Sequence, residues 1–228
     1  MATEKRITIL TEAEIAELFG PPILSSNDQR FFFTLNDAEL AECNRIRERD
    51  HRCMFVVLLG YFKVKPIMLS PGYHQIKQDL KYVCSEVFPG PGLRPFNLTQ
   101  KARVRIYQRI FKLTGHQRWL NKSHSSALIK DLNEHARAWG QPRSLFDRAI
   151  ECLSAQKVAI PGYTVLQDLI SEVVGVTNDQ FVRKLEELIS ADLAVMLSEL
   201  VIRNNSLTLR QLRKTARNLT GAELEKEL

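Results

Sequence analysis

Long apolar runs are missing from the 228-residue chain. A membrane-spanning helix needs about 20 consecutive apolar residues, and the longest such run here, Met54–Gly60, is far shorter. The opening stretch MATEKRITIL also lacks the three-part pattern of a secretory signal peptide. We therefore expect a cytoplasmic protein without a membrane partner, with Met54–Gly60 buried in its core.

The patterns that mark common metal, nucleotide and catalytic sites are also missing. No CxxC pair occurs, and the cysteine spacings are wide, which predicts buried free thiols in place of a zinc site; these are Cys43, Cys53, Cys84 and Cys152. No Walker or Rossmann glycine motif is present, and the histidines show no triad or metal spacing. We expect no catalytic residue, no metal and no cofactor. The alternative is a small metal-dependent nuclease built from scattered carboxylates.

Acidic residues are absent from positions 101–130, and this gap identifies the cationic part of the chain. The formal net charge is +6. Residues 91–157 contain 13 Lys and Arg against 4 Asp and Glu, whereas residues 1–90 contain 11 against 12 and residues 158–228 contain 8 against 10. A segment this one-sided suits a polyanion such as DNA or RNA, although a merely solvated basic surface would look the same.

Strand alternation is nearly absent, and helical periodicity dominates. A Thr11–Glu14 capping box predicts a short helix to Phe19, and Asn36 can cap a helix over 37–48. The apolar stretch 51–63 predicts a buried central helix. Further helices are expected at 73–87, 99–114, 125–139, 144–156, 164–174, 178–202 and, more weakly, 208–218.

The clearest punctuation in the chain is Pro89-Gly90-Pro91-Gly92, where the charge balance also changes. We place a domain boundary there. The sequence thus predicts an all-α fold of two small, helix-turn-helix-like modules, residues 1–90 and 91–175. A long linking helix and a tail follow over residues 176–228.

The predicted helix after Thr99 has one polar and one apolar side. Ile106, Ile110 and Phe111 share the apolar side. The opposite side is a cationic stripe, from which we predict contacts to the DNA backbone, because each neutralised phosphate releases counterions. The predicted backbone-binding residues are Lys101, Arg105, Arg109 and Lys112, together with Lys157.

Two polar helix faces are candidates for reading bases. Helix 144–156, the connection 157–162 and helix 164–174 are compatible with a helix-turn-helix, whose second helix enters the major groove. A Pro-Gly turn between helices also occurs in any bundle. In the first module the polar side of 73–87 carries side chains that can address bases but are equally ordinary surface residues. The base-reading candidates are Tyr163, Thr164, Gln167, His74, Gln75 and Gln78.

Several blocks resemble the N-terminal region of Tn-three-family transposases over roughly residues 7–190. They are the Arg30–Leu35 run with Asp37 and Leu40; the block 51–69, an Arg-x-x-Phe helix that ends in a basic residue and a short apolar turn; the Arg-rich helix over 100–115; and the Lys157-Val158-Ala159-Ile160-Pro161-Gly162 step followed by Leu166. The resemblance implies a bacterial, replicative, cointegrate-forming transposase. In that family the N-terminal region binds the terminal inverted repeats, and the magnesium-dependent carboxylate triad lies in a much longer C-terminal part.

We therefore expect the sequence-specific DNA-binding region of a transposase without its catalytic part, with double-stranded inverted-repeat DNA as its partner. The alternative is a helical protein–protein interaction module without DNA binding. Apolar residues of the 178–202 helix, such as Phe181, Leu185 and Met196, could pack on another chain, including a second copy, although such a stripe more often packs on its own domain.

Overall fold

The computed structural model describes residues 6–90, 93–138 and 140–188. Nine α-helices and no β-strand occur within these ranges, which confirms the all-α class. They are α1 (Glu12–Phe19), α2 (Ser26–Phe33), α3 (Asp37–Asn44), α4 (Arg49–Val64), α5 (Lys77–Tyr82), α6 (Gln100–Thr114), α7 (Asn121–Ala136), α8 (Pro142–Ala155) and α9 (Tyr163–Leu188). A 3₁₀ turn (Tyr73–Ile76) precedes α5, and a π turn (Val83–Val87) follows it.

Side-chain caps fix the beginnings of the first three helices. Thr11, Ser25 and Asn36 each accept a hydrogen bond from the backbone three residues on, and the acidic side chain there returns the bond. Each capping box satisfies two backbone N–H groups that a helix start leaves without partners. The sequence reasoning found the first box and the Asn36 cap but missed α2, although its signal, Ser25 followed by Asp28, is of the same kind.

Helix α4 is the centre of the core. All its residues from Cys53 to Phe62 are buried, as the apolar stretch predicted. Helix α2 crosses α4 at Gly60, where a Cβ atom would lie 2.5 Å from Cδ1 of the buried Phe33 ring. Only a glycine allows this approach without displacing α2.

Helix α6 covers another side of α4. The Phe62 ring meets the rings of Tyr107 and Phe111 at centroid distances of 6.3 and 5.7 Å. The buried Tyr107 hydroxyl donates to the Leu69 carbonyl oxygen at 3.0 Å. Burial raises the pKa of this hydroxyl well above its usual value, so it remains a donor. The core therefore continues across the predicted boundary at residue 90.

The described residues up to Thr177 belong to one compact unit, in place of the two expected modules 1–90 and 91–175. The physical reason is that α4 is apolar on nearly all sides and needs cover from both parts of the chain. Of the Pro-Gly segment, the structure describes Pro89 and Gly90, and both are exposed. Arg49 holds the preceding residue by donating from Nη2 to the Phe88 carbonyl oxygen at 2.9 Å.

The predicted helices 164–174 and 178–202 form one continuous helix, α9, as far as residue 188. A second unit begins at Asn178. Within its described part, the side chains of Phe181, Val182 and Leu188 are exposed. The predicted helix 208–218 and the end of the predicted 178–202 helix lie outside the described residues. Among the described helices, none combines the length and the apolar character that crossing a membrane requires.

All four cysteines are free thiols. Cys43, Cys53 and Cys84 are buried, as the sequence predicted, and Cys152 is partly exposed. Burial raises the pKa of the Cys43 thiol to about 11 and that of Cys53 to about 12. These thiols therefore behave as small apolar side chains at neutral pH.

Candidate nucleic-acid interface

Helix α6 presents a polar side to solvent, as its sequence predicted. Thr99 caps its first turn, and Gly115, with a φ of 70°, ends it in the left-handed conformation that glycine adopts most readily. The buried side of the helix consists of Ile106, Tyr107, Ile110 and Phe111. Lys101, Arg105 and Gln108 are exposed.

The cations of the α6 stripe are not equivalent. Arg109 Nη1 lies 2.8 Å from Glu42 Oε2, and Lys112 Nζ lies 3.3 Å from Glu42 Oε1. Glu42 belongs to α3 and also pairs with Arg45. In contrast, Lys101 and Arg105 form no ion pair with any residue that the structure describes.

Glu42 remains ionised in this environment. Desolvation raises the pKa of its carboxyl group, but hydrogen bonds from Lys112 and Arg109 and the charge of Arg45 outweigh this effect, so the net pKa is lowered. Its side chain is only 9% exposed. Glu42 therefore anchors three cations at the junction of α3 and α6. Sequence reasoning missed it, because Glu42 and Arg109 are 67 residues apart and only packing brings them together.

A cationic cleft of about 230 Å³ lies between the α3–α4 corner and α6. We call it the arginine cleft. Its lining includes four arginines and one glutamate: Arg45, Arg47, Arg105, Arg109 and Glu48, with Ile46, His51, Ala102 and Ile106. Glu48 Oε2 lies 3.0 Å from His51 Nδ1. The sequence analysis placed Arg45 and Arg47 inside a helix over 37–48, whereas α3 ends at Asn44 and leaves them in the corner.

Lys157, the fifth predicted backbone contact, lies in the connection between α8 and α9. Its side chain is exposed, and its φ of 51° places it in the left-handed region. The Lys157 carbonyl oxygen accepts from the Gln117 N–H at 2.8 Å. This contact belongs to a short parallel bridge between Gln117 and Val158.

The α8–α9 pair departs from the expected helix-turn-helix. Its connection, 156–162, is seven residues long, whereas the motif has a turn of about 3–4 residues. Val158, Ala159 and Ile160 are buried, and the Ile160 N–H donates to the Pro66 carbonyl oxygen at 2.9 Å. The connection is therefore an extended core segment that separates the two helices.

Two of the predicted base-reading side chains on α9 hold the N-terminal segment, residues 6–10. The Tyr163 hydroxyl accepts from the Ile9 and Leu10 N–H groups, each at 3.3 Å. Gln167 Nε2 donates to the Ile7 carbonyl oxygen at 3.0 Å. Contact of these two side chains with bases would require displacement of the segment. Thr164, between them in sequence, is exposed.

The three polar candidates of the first module lie in the 3₁₀ turn and at the start of α5. His74 and Gln78 are exposed. Gln75 is exposed as well, but its Oε1 accepts from the Gly72 N–H at 2.8 Å and so closes the turn. His74 and Gln78 are thus available to a ligand, while Gln75 also has a local structural role.

The described residues define an all-helical domain in which exposed cations of α6 lie at and beside the arginine cleft. Residues 9–173 match the family described as a domain of unknown function, DUF4158, and the chain belongs to this family. The match begins in the N-terminal segment and ends in the first half of α9, so it coincides closely with the first compact unit. Comparison with curated proteins and with solved structures gives no match.

Proposed function

We propose that this chain is the DNA-binding region of a Tn-three-type transposase and that it recognises the terminal inverted repeats of its element. The observation that carries the proposal is the exposure of Lys101 and Arg105 on α6, beside the arginine cleft and without acidic partners among the described residues. The sequence blocks that resemble the transposase family also support this proposal.

In this proposal α6 supplies backbone contacts. Side chains that neutralise phosphates provide affinity for any sequence and position the protein on the duplex. Arg109 and Lys112 contribute less, since Glu42 already balances part of their charge. Base contacts would come from exposed polar side chains, for which Thr164, His74 and Gln78 are available.

The proposal assigns no chemistry to this chain. Within the described ranges, no group of three or more His, Cys, Asp or Glu side chains is arranged to hold a metal ion. DNA cutting and joining would belong to the separate catalytic part that the family resemblance implies. Duplex DNA incubated with the chain and magnesium should therefore remain intact.

Titration of fluorescent duplexes at several salt concentrations tests the proposal. The wild type should bind an inverted-repeat duplex more tightly than a scrambled one. Lys101→Ala and Arg105→Ala should each weaken both duplexes alike and reduce the salt slope by about 1. They should change the free energy of unfolding by no more than about 0.5 kcal/mol, because both side chains are exposed.

Gln108→Ala is the matched control, since Gln108 is exposed on the same side of α6 but carries no charge. It should leave the salt slope unchanged. An unchanged slope in both cationic variants would show that the stripe is only solvated. If the wild type binds neither duplex, the DNA-binding proposal is wrong.

The exposed apolar residues of α9 favour a second candidate, a helical protein–protein interaction module. Phe181 is 61% exposed and Leu188 is 80% exposed, and large apolar side chains on a helix often contact a partner chain. A chain of this kind would bind neither duplex. Phe181→Asp would then abolish self-association, which light scattering can measure.

A further inference from the structure

We propose that the arginine cleft holds one backbone phosphate of the duplex, gripped by Arg47 from the α3–α4 corner and Arg105 from α6 together. This inference rests on the proposed DNA-binding function and adds a specific binding site, or seat, for one phosphate. It also brings in the α3–α4 corner, which the sequence analysis did not connect with DNA. The seat would fix the orientation of the chain on the duplex, since a phosphate contact sets register without reading sequence.

The size of the cleft favours a phosphate group over a larger ligand. Its volume is about 230 Å³, below the roughly 300–1,000 Å³ of most small-molecule pockets. A whole nucleotide would not be enclosed, whereas a phosphate at the edge of a duplex can enter while its sugar and base stay outside.

The charge in the cleft is available to an incoming anion. Arg47 and Arg105 are exposed and form no ion pair with a described residue. The carboxylate that lines the cleft, Glu48, lies beside His51 and is itself 70% exposed. These two guanidinium groups, one from the α3–α4 corner and one from α6, can each donate two parallel hydrogen bonds to phosphate oxygens.

Glu42 holds the other two arginines in position. It accepts from Nη1 of Arg45 and from Nη1 of Arg109, so each guanidinium keeps further N–H donors. A buried carboxylate at this point limits the motion of both side chains before any ligand arrives. Less conformational entropy is then lost on binding.

The backbone of α6 adds to the positive potential. Ala102 lines the cleft in the first turn of α6, which contains no acidic residue. The positive end of the helix dipole therefore lies at the cleft. Ile46 and Ile106 form apolar parts of its wall, and a less polar surrounding strengthens hydrogen bonds to charge.

A double variant tests whether Arg47 and Arg105 meet the same phosphate. The probe is a mixed-sequence fluorescent duplex, titrated with the full chain at several salt concentrations. If both side chains share one phosphate, the Arg47→Ala/Arg105→Ala variant should lose about 1 from the salt slope. Its loss of affinity should also differ from the sum of the two single losses, because neighbouring contacts are not additive.

The control pair is Lys101→Ala/Arg105→Ala, in which two separate phosphates are expected and the slope should fall by about 2. Arg137→Ala, at an exposed arginine that directly follows α7, controls for a general loss of positive charge. A fall of about 2 in the Arg47/Arg105 variant, or an Arg47→Ala variant that binds the duplex as tightly as the wild type, would overturn the shared phosphate contact while DNA binding stands. A wild type that does not bind the duplex would overturn the proposed function itself.

Discussion

A single carboxylate determines which cations of α6 are available. Glu42 is buried on α3 and pairs with Arg45, Arg109 and Lys112. A count of charges along the chain does not reveal these ion pairs. Glu42 lies in residues 1–90, and only packing brings it to the cations of α6. As a result, the stripe divides into two anchored cations and two free ones, Lys101 and Arg105.

Replacement of Glu42 by Gln should destabilise the fold in a pH-dependent way. A hydrogen bond to a charged group contributes about 1.5–3 kcal/mol. We therefore expect the free energy of unfolding to fall by about 1–3 kcal/mol at pH 7. The pKa of Glu42 is lowered in the folded state. The stabilising effect of the ionised carboxylate is therefore complete when the pH is above the pKa of a glutamate in the unfolded chain, about 4.3. It is lost as the pH falls through the lower pKa of the folded state.

Urea unfolding of the wild type and Glu42→Gln between pH 3 and pH 7 measures this difference. The difference in the free energy of unfolding between the two proteins should become smaller as the pH falls toward 3. Glu134→Gln, at an exposed position on α7, should match the wild type throughout. A gap of equal size at every pH would mean that packing, and not the ionised carboxylate, explains the loss.

At the scale of secondary structure, the segment 6–10 and the first turns of α9 depend on each other. Besides the hydrogen bonds that Tyr163 accepts and Gln167 donates, the Ile7 N–H donates to Ser171 Oγ at 3.2 Å. Arg6 Nε lies 2.6 Å from Asp168 Oδ1. The segment is therefore held along α9 by these contacts, and we call it the strap.

Tyr163→Phe should loosen this strap. The substitution keeps the ring that packs against Phe19 but leaves the Ile9 and Leu10 N–H groups without their acceptor. We expect faster amide hydrogen exchange at Ile9 and Leu10. The free energy of unfolding should fall by about 0.5–1.5 kcal/mol. Thr164→Ala should change neither quantity. Unchanged exchange at both amides in Tyr163→Phe would contradict the assignment.

Local signals predicted most of the helices, and tertiary contacts explain the differences. Periodicity and caps located α1, α4, α6 and α8 to within a few residues. The stretch 73–87 was expected as one helix but consists of 3₁₀, α and π turns. The break expected near Gly175 is absent, since a single glycine weakens a helix without ending it.

The candidate site was less predictable than the fold. The amphipathic character of α6 is a property of one helix, so the exposure of Lys101 and Arg105 followed from the sequence. The arginine cleft depends on how the α3–α4 corner meets α6, and the roles of Tyr163 and Gln167 depend on a segment more than 150 residues away. No periodic pattern encodes such contacts.

At the scale of the whole molecule, the shared core makes a prediction about proteolysis. Pro89 and Gly90 are exposed, and exposed turns are preferred cleavage sites. We expect limited proteolysis to nick the chain here while the fragments remain associated, because α6 packs on α4. Native size-exclusion chromatography followed by denaturing gel electrophoresis would show both fragments in one peak. Separate elution would instead support independent modules.

The strap also has a consequence for the order in which the molecule is completed during synthesis. Its partners on α9 follow it by 153–164 residues. At about 5–20 residues per second, a ribosome makes that interval in roughly 10–30 s. Residues 6–10 are thus made well before the helix that holds them, and a nascent chain that stalls before α9 leaves them without these hydrogen-bond partners. Pairing of the strap with α9 would therefore report that synthesis has passed Ser171.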